Sequence, residues 1–342
     1  MPDAVTMRAT PRCERLGAHP AMDFAMRTFG LLALLIILAY PDPGAARDVV
    51  NGFDLNKTSV PRELIAGGGP PRDGIPALTD PDFLPASEAT YLKEDDRLLG
   101  VVYNGVAKAY PLPVMNWHEL VNDCFDGEPV LVTYCPLCFT GMAFKAGFNG
   151  KRQKFGVSGL LYNSDVLLYD VTGESLWSQI MGEAIAGPRM GQPLESVPLV
   201  NTSWRDWRKR HPDTLVLSRE TGHRRDYERD PYAWYDQSHD LAFPVAFRSH
   251  GYHPKEYVLG LKIDGRARAW PVSELMKAAL PLKDRLGDKD VVIHYDDDNV
   301  TAEAREADGE LLSGVMAYWF AWYAFHPQTE VYTADGDEKP TE

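Results

Sequence analysis

The amino-acid sequence predicts an α+β fold in which two duplicated, mostly antiparallel β units, each with a short helix, pack together behind an extended N-terminal arm. Three observations support this class. The chain has 342 residues, of which 44% are hydrophobic and 25% are charged, a composition typical of globular proteins. Two long stretches resemble each other at a constant offset of 160 positions. In both stretches, alternating apolar residues flank a turn dipeptide.

The repeat begins at Leu98 and again at Val258. The first copy, "LLGVVYNGVAKAYPLPVMNWHELVND", aligns with the second, "VLGLKIDGRARAWPVSELMKAALPLKD". Further along, "PVLVTY" aligns with "DVVIHY", and "VLLYDVTGESLW" aligns with "AWYAFHPQTEVY". The offset changes by only a few residues over about 75 positions, which predicts an internal repeat.

Each copy is expected to form the same series of elements. A hairpin comes first, because Asn104-Gly105 and Asp264-Gly265 tolerate the positive φ angles of a type I′ turn. A short helix follows in "PLPVMNWHELVND" and "PVSELMKAAL", with proline near its start, where a missing N–H is not needed. A buried strand, a second hairpin and an apolar last strand complete each unit.

The chain divides into six predicted segments. They are a leader at 1–46 with an apolar core at 29–39; a Pro- and Gly-rich extended arm at 47–96; a first repeat unit with the candidate site at 97–180; a connector at 181–250; a second, degenerate repeat unit at 251–333; and a disordered tail at 334–342.

The leader has the order of a secretory signal peptide. Met26-Arg27 precedes the apolar core, and the small residues 44–46 follow it, so cleavage is expected after Ala46. The core is too short for a membrane span, which needs about 20 residues. We therefore expect a periplasmic or extracellular protein without a stable membrane span after cleavage. An uncleaved anchor is the alternative, and Met1 and Met26 are the two candidate start residues.

The net charge of −14 argues against nucleic acid as a partner, because binding to phosphates requires clustered Lys and Arg. A small molecule or a protein remains possible as a partner.

The two copies differ most around a pair of cysteines. Cys135 and Cys138 in "TYCPLC" align with Asp296 and Asn299, and "NWHE" aligns with "MKAA". A duplicated fold needs its core in both copies but its chemistry in only one. Since buried polar groups cost stability unless they are compensated, the difference predicts a functional site in the first unit.

The leading hypothesis for this site is a metal centre. Cys135 and Cys138 in a turn between strands can direct two sulfur atoms at one ion, and His118 on the preceding helix is the expected third ligand. In an exported protein, zinc or copper suits such a ligand set. Four residues are expected to support it: Glu119, Asn116 and Asp165 around the ligands, and Met142 as a further soft donor or as part of the apolar core.

Two other functions remain open, as does the question of whether the protein is an enzyme. The Cys-Pro-Leu-Cys motif is similar to that of thiol-disulfide oxidoreductases, although no long helix is predicted to follow Cys138 and lower a thiol pKa. The other alternative is a non-catalytic binding or scaffold protein, in which the cysteines form a structural disulfide or stay buried and reduced.

Seven motifs, in order, resemble a known family. "NGFDL", "GGPPRDGIPAL", "NWHELVND", "TYCPLC", "FGVSGLLYNSDVLLYD", "ESLWSQ" and "RDYERDPY" are similar to those of the bacterial and archaeal domain-of-unknown-function family numbered 3179. The resemblance spans residues 50–333 and implies an exported protein. It implies no particular activity.

Overall fold

The computed structural model describes residues 48–236 and 238–336. The predicted signal peptide, its cleavage site and residues 337–342 of the predicted tail lie outside the described residues. Within the described ranges, no helix is long and apolar enough to cross a membrane.

The described residues form 26 strands, five α-helices and one 3-10 helix. Those before the first α-helix, in chain order, are β1 (Val49–Val50), β2 (Phe53–Asp54), the 3-10 helix (Arg62–Leu64), β3 (Ile65–Gly67), β4 (Leu78–Thr79), β5 (Phe83–Pro85), β6 (Arg97–Tyr103) and β7 (Val106–Pro111).

The middle of the chain contains two helices that each span seven residues. Its elements are α1 (Leu112–His118), β8 (Leu120–Phe125), β9 (Glu128–Cys135), β10 (Thr140–Lys145), β11 (Gly147–Phe148), β12 (Lys151–Arg152), β13 (Phe155–Tyr162), β14 (Asp165–Asp170), β15 (Leu176–Ser178), β16 (Glu183–Ala186), β17 (Ser196–Val197), β18 (Val200–Ser203), α2 (Trp204–Arg210) and β19 (Leu215–Leu217).

The remaining elements follow a stretch with little regular structure. They are α3 (Ala233–Asp236), β20 (Tyr257–Ile263), β21 (Arg266–Pro271), α4 (Val272–Leu275), β22 (Leu282–Leu286), β23 (Lys289–Asp296), β24 (Thr301–Arg305), β25 (Val315–Tyr318), α5 (Trp319–Phe325) and β26 (Glu330–Val331).

The predicted α+β fold of two duplicated units packed together is wrong. The structure is mostly β, and its five larger sheets are arranged as a five-bladed β-propeller. By strand order the blades are blade 1 (β18-β6-β7-β19-β5), blade 2 (β17-β10-β9-β8-β4), blade 3 (β16-β15-β14-β13-β3), blade 4 (β25-β20-β21-β26) and blade 5 (β22-β23-β24). The prediction failed because the hairpins expected to share one unit belong to different blades.

Segments expected to lie outside the repeats supply strands to the blades. The N-terminal arm adds β3, β4 and β5 as the outermost strands of blades 3, 2 and 1. The expected connector supplies β16 to β19. Without the arm strands, blades 1 to 3 have four strands each, the usual number in a propeller blade.

The duplication is visible in blades 1 and 4. In both, a central antiparallel hairpin has an antiparallel strand on one side and a parallel strand on the other. After the antiparallel neighbour, α2 and α5 place Trp207 and Trp322 over Gly100 and Gly260, where a Cβ would overlap the indole ring. The segment "AWYAFHPQTEVY" therefore corresponds to "DWRKRHPDTLVL", and the predicted alignment with "VLLYDVTGESLW" is wrong.

The largest apolar cluster joins four of the blades. Leu99 of blade 1, Val132 of blade 2, Trp177 of blade 3 and Tyr318 of blade 4 all belong to it. Blades 2 and 3 are further joined by Asn122, whose side chain exchanges two hydrogen bonds with the main chain of Phe155, at 2.9 and 2.7 Å. The common apolar cluster and these hydrogen bonds fix the position of each blade relative to its neighbours.

Candidate functional site

Two hairpin tips from neighbouring blades meet at the candidate site. In blade 2, β9 ends at Cys135, and the turn 136–139 returns the chain to β10. In blade 3, Asn163 and Ser164 join β13 to β14. Their φ angles of 53° and 68° are those of a type I′ turn, which matches the twist of the two strands. Asp165 begins β14 directly after this turn.

The two tips bring two sulfur atoms and a carboxylate together. The ligand atoms of Cys135, Cys138 and Asp165 all lie within 4.8 Å of one another. Both thiol sulfurs face the carbonyl oxygen of Ser164, at 3.3 Å from Cys138 and 4.0 Å from Cys135. All three side chains are at most 1% exposed. The arrangement is a closed cluster of possible metal ligands.

Asp165 has one oxygen that the protein leaves unsatisfied. Its Oδ2 accepts a hydrogen bond from the main-chain N–H of Ile180 at 3.1 Å. Its Oδ1 is buried and has no hydrogen-bond partner among the described residues. A buried carboxylate oxygen without a partner is costly, although the thiols of Cys135 and Cys138 lie close enough to lower the pKa of this carboxyl.

Gln179 holds the cysteine hairpin in place. Its Nε2 donates to Thr133 Oγ1 at 2.8 Å and to the carbonyl of Thr140 at 3.2 Å, and its Oε1 accepts from Thr140 Oγ1 at 2.7 Å. These bonds tie together the two strands that support the Cys135–Cys138 turn. Gln179 is fully buried, so water does not compete for these bonds.

Glu119 lies next to the cluster and is held by the backbone. It ends α1 in the left-handed region, with φ of 57°, a conformation that is strained for a residue with a side chain. Its N–H donates to the carbonyl of Met115 at 2.8 Å, and its carbonyl accepts from the N–H of Tyr134 at 2.7 Å. The hydroxyl of Tyr232 donates to its carboxyl at 3.3 Å. The bond from Tyr134 thus holds Glu119 against the residue that precedes Cys135.

Burial makes all four acidic groups weaker acids. It raises the pKa of Glu119 to about 8 and that of Asp165 to about 7. It also raises the pKa of the Cys135 thiol and brings that of Cys138 well above its ordinary value. Hydrogen bonds from Ile180 and from the two thiols partly offset the effect of burial on Asp165, and neither Lys nor Arg is among the main causes of these four shifts. A bound cation would supply the missing positive charge.

His118, the expected third ligand, is not part of this cluster. Its Nδ1 lies 2.8 Å from the carbonyl oxygen of Pro76, and its Nε2 lies 2.7 Å from the hydroxyl of Tyr227. Burial lowers its pKa to about 4, so the ring stays neutral. Both ring nitrogens are occupied by these contacts, and the donor that the structure places beside the cysteines is Asp165.

Asn116 and Met142 lie in other surroundings. Asn116 donates from Nδ2 to Asp230 at 3.1 Å, on the wall of a cavity of about 330 Å³. Met142 sits on β10 opposite Thr133 and packs against two apolar clusters. These contacts agree with a core role for Met142.

Two cavities flank the cysteine turn. Pro136 lines the cavity of about 330 Å³, and Leu137 lines a second cavity of about 230 Å³. Tyr232 lines both, and Glu119 lines the smaller one. Tyr232 belongs to the "RDPY" motif, but nothing in the sequence indicated that it would contact Glu119.

Comparisons with known proteins identify a family. A family model described as "Protein of unknown function (DUF3179)" matches residues 72–315. Neither the curated proteins nor the solved structures contain a match to the chain. The family model covers well over half of the sequence, and the chain therefore belongs to the DUF3179 family.

Proposed function

We propose that this protein binds one transition-metal ion, zinc in the first place, through Cys135, Cys138 and Asp165. The observation that carries the proposal is the buried cluster in which Asp165 Oδ1 has no protein partner. Three protein ligands leave one position of a tetrahedral zinc site open, as in zinc enzymes.

The acidic groups of the cluster favour a bound metal ion over an empty site. Two thiols and two carboxyls are buried near one another, and among the described residues neither Lys nor Arg is a main cause of their pKa shifts. A divalent cation binds thiolate and carboxylate, and it lowers the pKa of the groups that ligate it. Because the raised pKa values favour the protonated groups in the metal-free cluster, binding of the ion should release protons.

The spacing also suits zinc. Zinc–sulfur bonds of about 2.3 Å in a tetrahedron place two ligand atoms about 3.8 Å apart. The ligand atoms of the cluster lie within 4.8 Å of one another, so small side-chain movements complete the site. A carboxylate among the ligands favours zinc over copper(I), which prefers sulfur ligands alone.

The structure gives less support to a thiol-disulfide oxidoreductase. A redox-active cysteine is usually exposed and has a lowered pKa, often at a helix N-terminus. Here both thiols are buried, their pKa values are raised, and a turn rather than a helix contains Cys138.

Elemental analysis of the purified protein tests the proposal. We expect one zinc per chain, and we expect Asp165→Asn and Cys138→Ser to lose more affinity than the roughly 10- to 100-fold that changes beside a metal site cause. His118→Gln is the matched control and should keep the metal. Absence of stoichiometric metal, or Cys135→Ser with unchanged metal content, would contradict the proposal.

Export remains part of the proposal. It is supported by the order of basic, apolar and small residues in the leader. N-terminal sequencing of the mature protein should find a start at Arg47, directly after Ala46. Recovery of the intact leader from the cytoplasm would contradict it.

A further inference from the structure

The smaller cavity beside the cluster has almost entirely apolar walls. Its volume is about 230 Å³, and it is lined by residues from the arm, from the end of α1, from the cysteine turn, from blade 3 and from the segment 232–243 that includes α3. Six of them define its shape: Ile75, Leu137, Leu161, Val166, Trp234 and Phe243. Such walls favour the apolar part of a ligand.

Few polar side chains reach this cavity. Among its lining residues, Glu119 has the only carboxyl group, and Tyr232 and Trp234 have the other polar side-chain atoms. Glu119 keeps its position through a strained backbone conformation and two main-chain hydrogen bonds. A carboxyl group held at a cost in an apolar cavity indicates recognition of one polar group.

The wall formed by the arm and β13 is tightly packed. The arm approaches β13 so closely that a Cβ on Gly159 would overlap the carbonyl oxygen of Pro70. The N–H of Gly68 donates to the carbonyl of Gly159 at 2.8 Å, and the N–H of Asp73 donates to that of Val157 at 2.9 Å. The cavity is therefore formed before any ligand binds.

The cavity size limits the ligand. A cavity of about 150 Å³ holds benzene, and drug-sized ligands occupy about 300 Å³ or more. A volume of about 230 Å³ fits one ring with a short substituent. Trp234 lines the cavity and is 67% exposed, so this wall reaches solvent and offers an entrance.

We propose that this cavity binds a small, neutral, apolar molecule of single-ring size that carries one amide or carbonyl group, with that group hydrogen-bonded to Glu119. The cavity lies next to the proposed metal site, since Leu137 stands between the two cysteines and Val166 follows Asp165. Binding in the cavity does not require the metal. The two proposals can therefore fail separately.

Calorimetric titration with three probes of similar size tests this inference. Benzamide should bind with one-to-one stoichiometry and about tenfold more tightly than toluene, the value of one neutral hydrogen bond. Benzoate should bind more weakly than either, because its charge loses hydration in an apolar cavity. Failure of both benzamide and toluene to bind, or preference for benzoate, would overturn the inference.

Substitutions in the two cavities test whether benzamide binds in the smaller one. Leu161→Trp fills the cavity and should abolish benzamide binding, whereas Leu112→Phe, in the wall of the larger cavity, should leave it unchanged. Glu119→Met should remove the preference for benzamide over toluene but keep toluene binding. Equal affinity of the Leu161 variant and the wild type would place the ligand elsewhere and overturn the proposal.

Two controls keep the outcome clear. If Leu161→Trp does not fold, Ala242→Trp, at an exposed loop residue of the same wall, takes its place. Titration after removal of metal by a chelator should give the same benzamide affinity. An affinity lost with the metal would show that the ligand binds the ion and not the cavity, and would contradict the inference.

Discussion

Glu119→Gln should change how the stability of the metal-free protein depends on pH. Burial raises the pKa of Glu119 from its ordinary 4.5 to about 8 in the folded protein. Between these values the folded state keeps a proton that the unfolded chain has lost, so the free energy of unfolding falls as pH rises. The slope is about 1.4 kcal/mol per pH unit, and the total approaches about 5 kcal/mol.

Glutamine keeps the shape of the side chain but does not titrate. The variant and the wild type should therefore have similar stability near pH 5, where Glu119 is protonated, and the variant should be more stable by several kcal/mol near pH 8. Urea unfolding of chelator-treated protein between about pH 5 and about pH 8 measures the difference. Asp165 titrates in both proteins, and its charge contributes to the raised pKa of Glu119, so part of the measured difference is the loss of this repulsion. A difference in stability that does not change with pH would refute the reasoning.

Two further substitutions test the packing of the blades. Gly100→Ala should lower the free energy of unfolding by about 1–3 kcal/mol because its Cβ would overlap the ring of Trp207. Gly67→Ala, with open space around the glycine, is the control and should lower it little. Equal losses of stability in denaturant unfolding would contradict this. Lys108→Met should cost about 3–5 kcal/mol, since it leaves Asp123 buried without the ion pair now made at 2.8 Å; a neutral change in the same assay would contradict it.

Local patterns predicted local structure well. The Asn104-Gly105 and Asp264-Gly265 turns form the β6–β7 and β20–β21 hairpins, with positive φ at all four residues. Helices follow both hairpins, as the prolines indicated, although each is shorter than expected.

The assembly of the blades was not predictable in the same way. Blade 1 is completed by β18 and β19, which follow the whole of blade 3 in the sequence, and this insertion moved the second half of the repeat out of register with the first. One signal was present: "W..W...HP.T" occurs from Trp204 and again from Trp319. It would have corrected the alignment.

Some residues of the candidate site could be named from the sequence. The absence of Cys135 and Cys138 from the second copy marked them as unusual, and Asp165 was expected to support the ligands. Their meeting depends on two hairpin tips from different blades, which no local pattern records. His118 and Glu119 are adjacent, but α1 ends between them, and the left-handed conformation of Glu119 brings its carboxyl, and not the imidazole, toward the cysteines.

The ligand set of the bound metal tests the central claim most directly. X-ray absorption spectroscopy at the zinc edge of the metal-loaded protein should show two sulfur atoms at about 2.3 Å and oxygen at about 2.0 Å, with no imidazole. Asp165→Asn should change the oxygen contribution and leave both sulfur atoms. A spectrum with an imidazole ligand, or without sulfur, would contradict a site built from Cys135, Cys138 and Asp165.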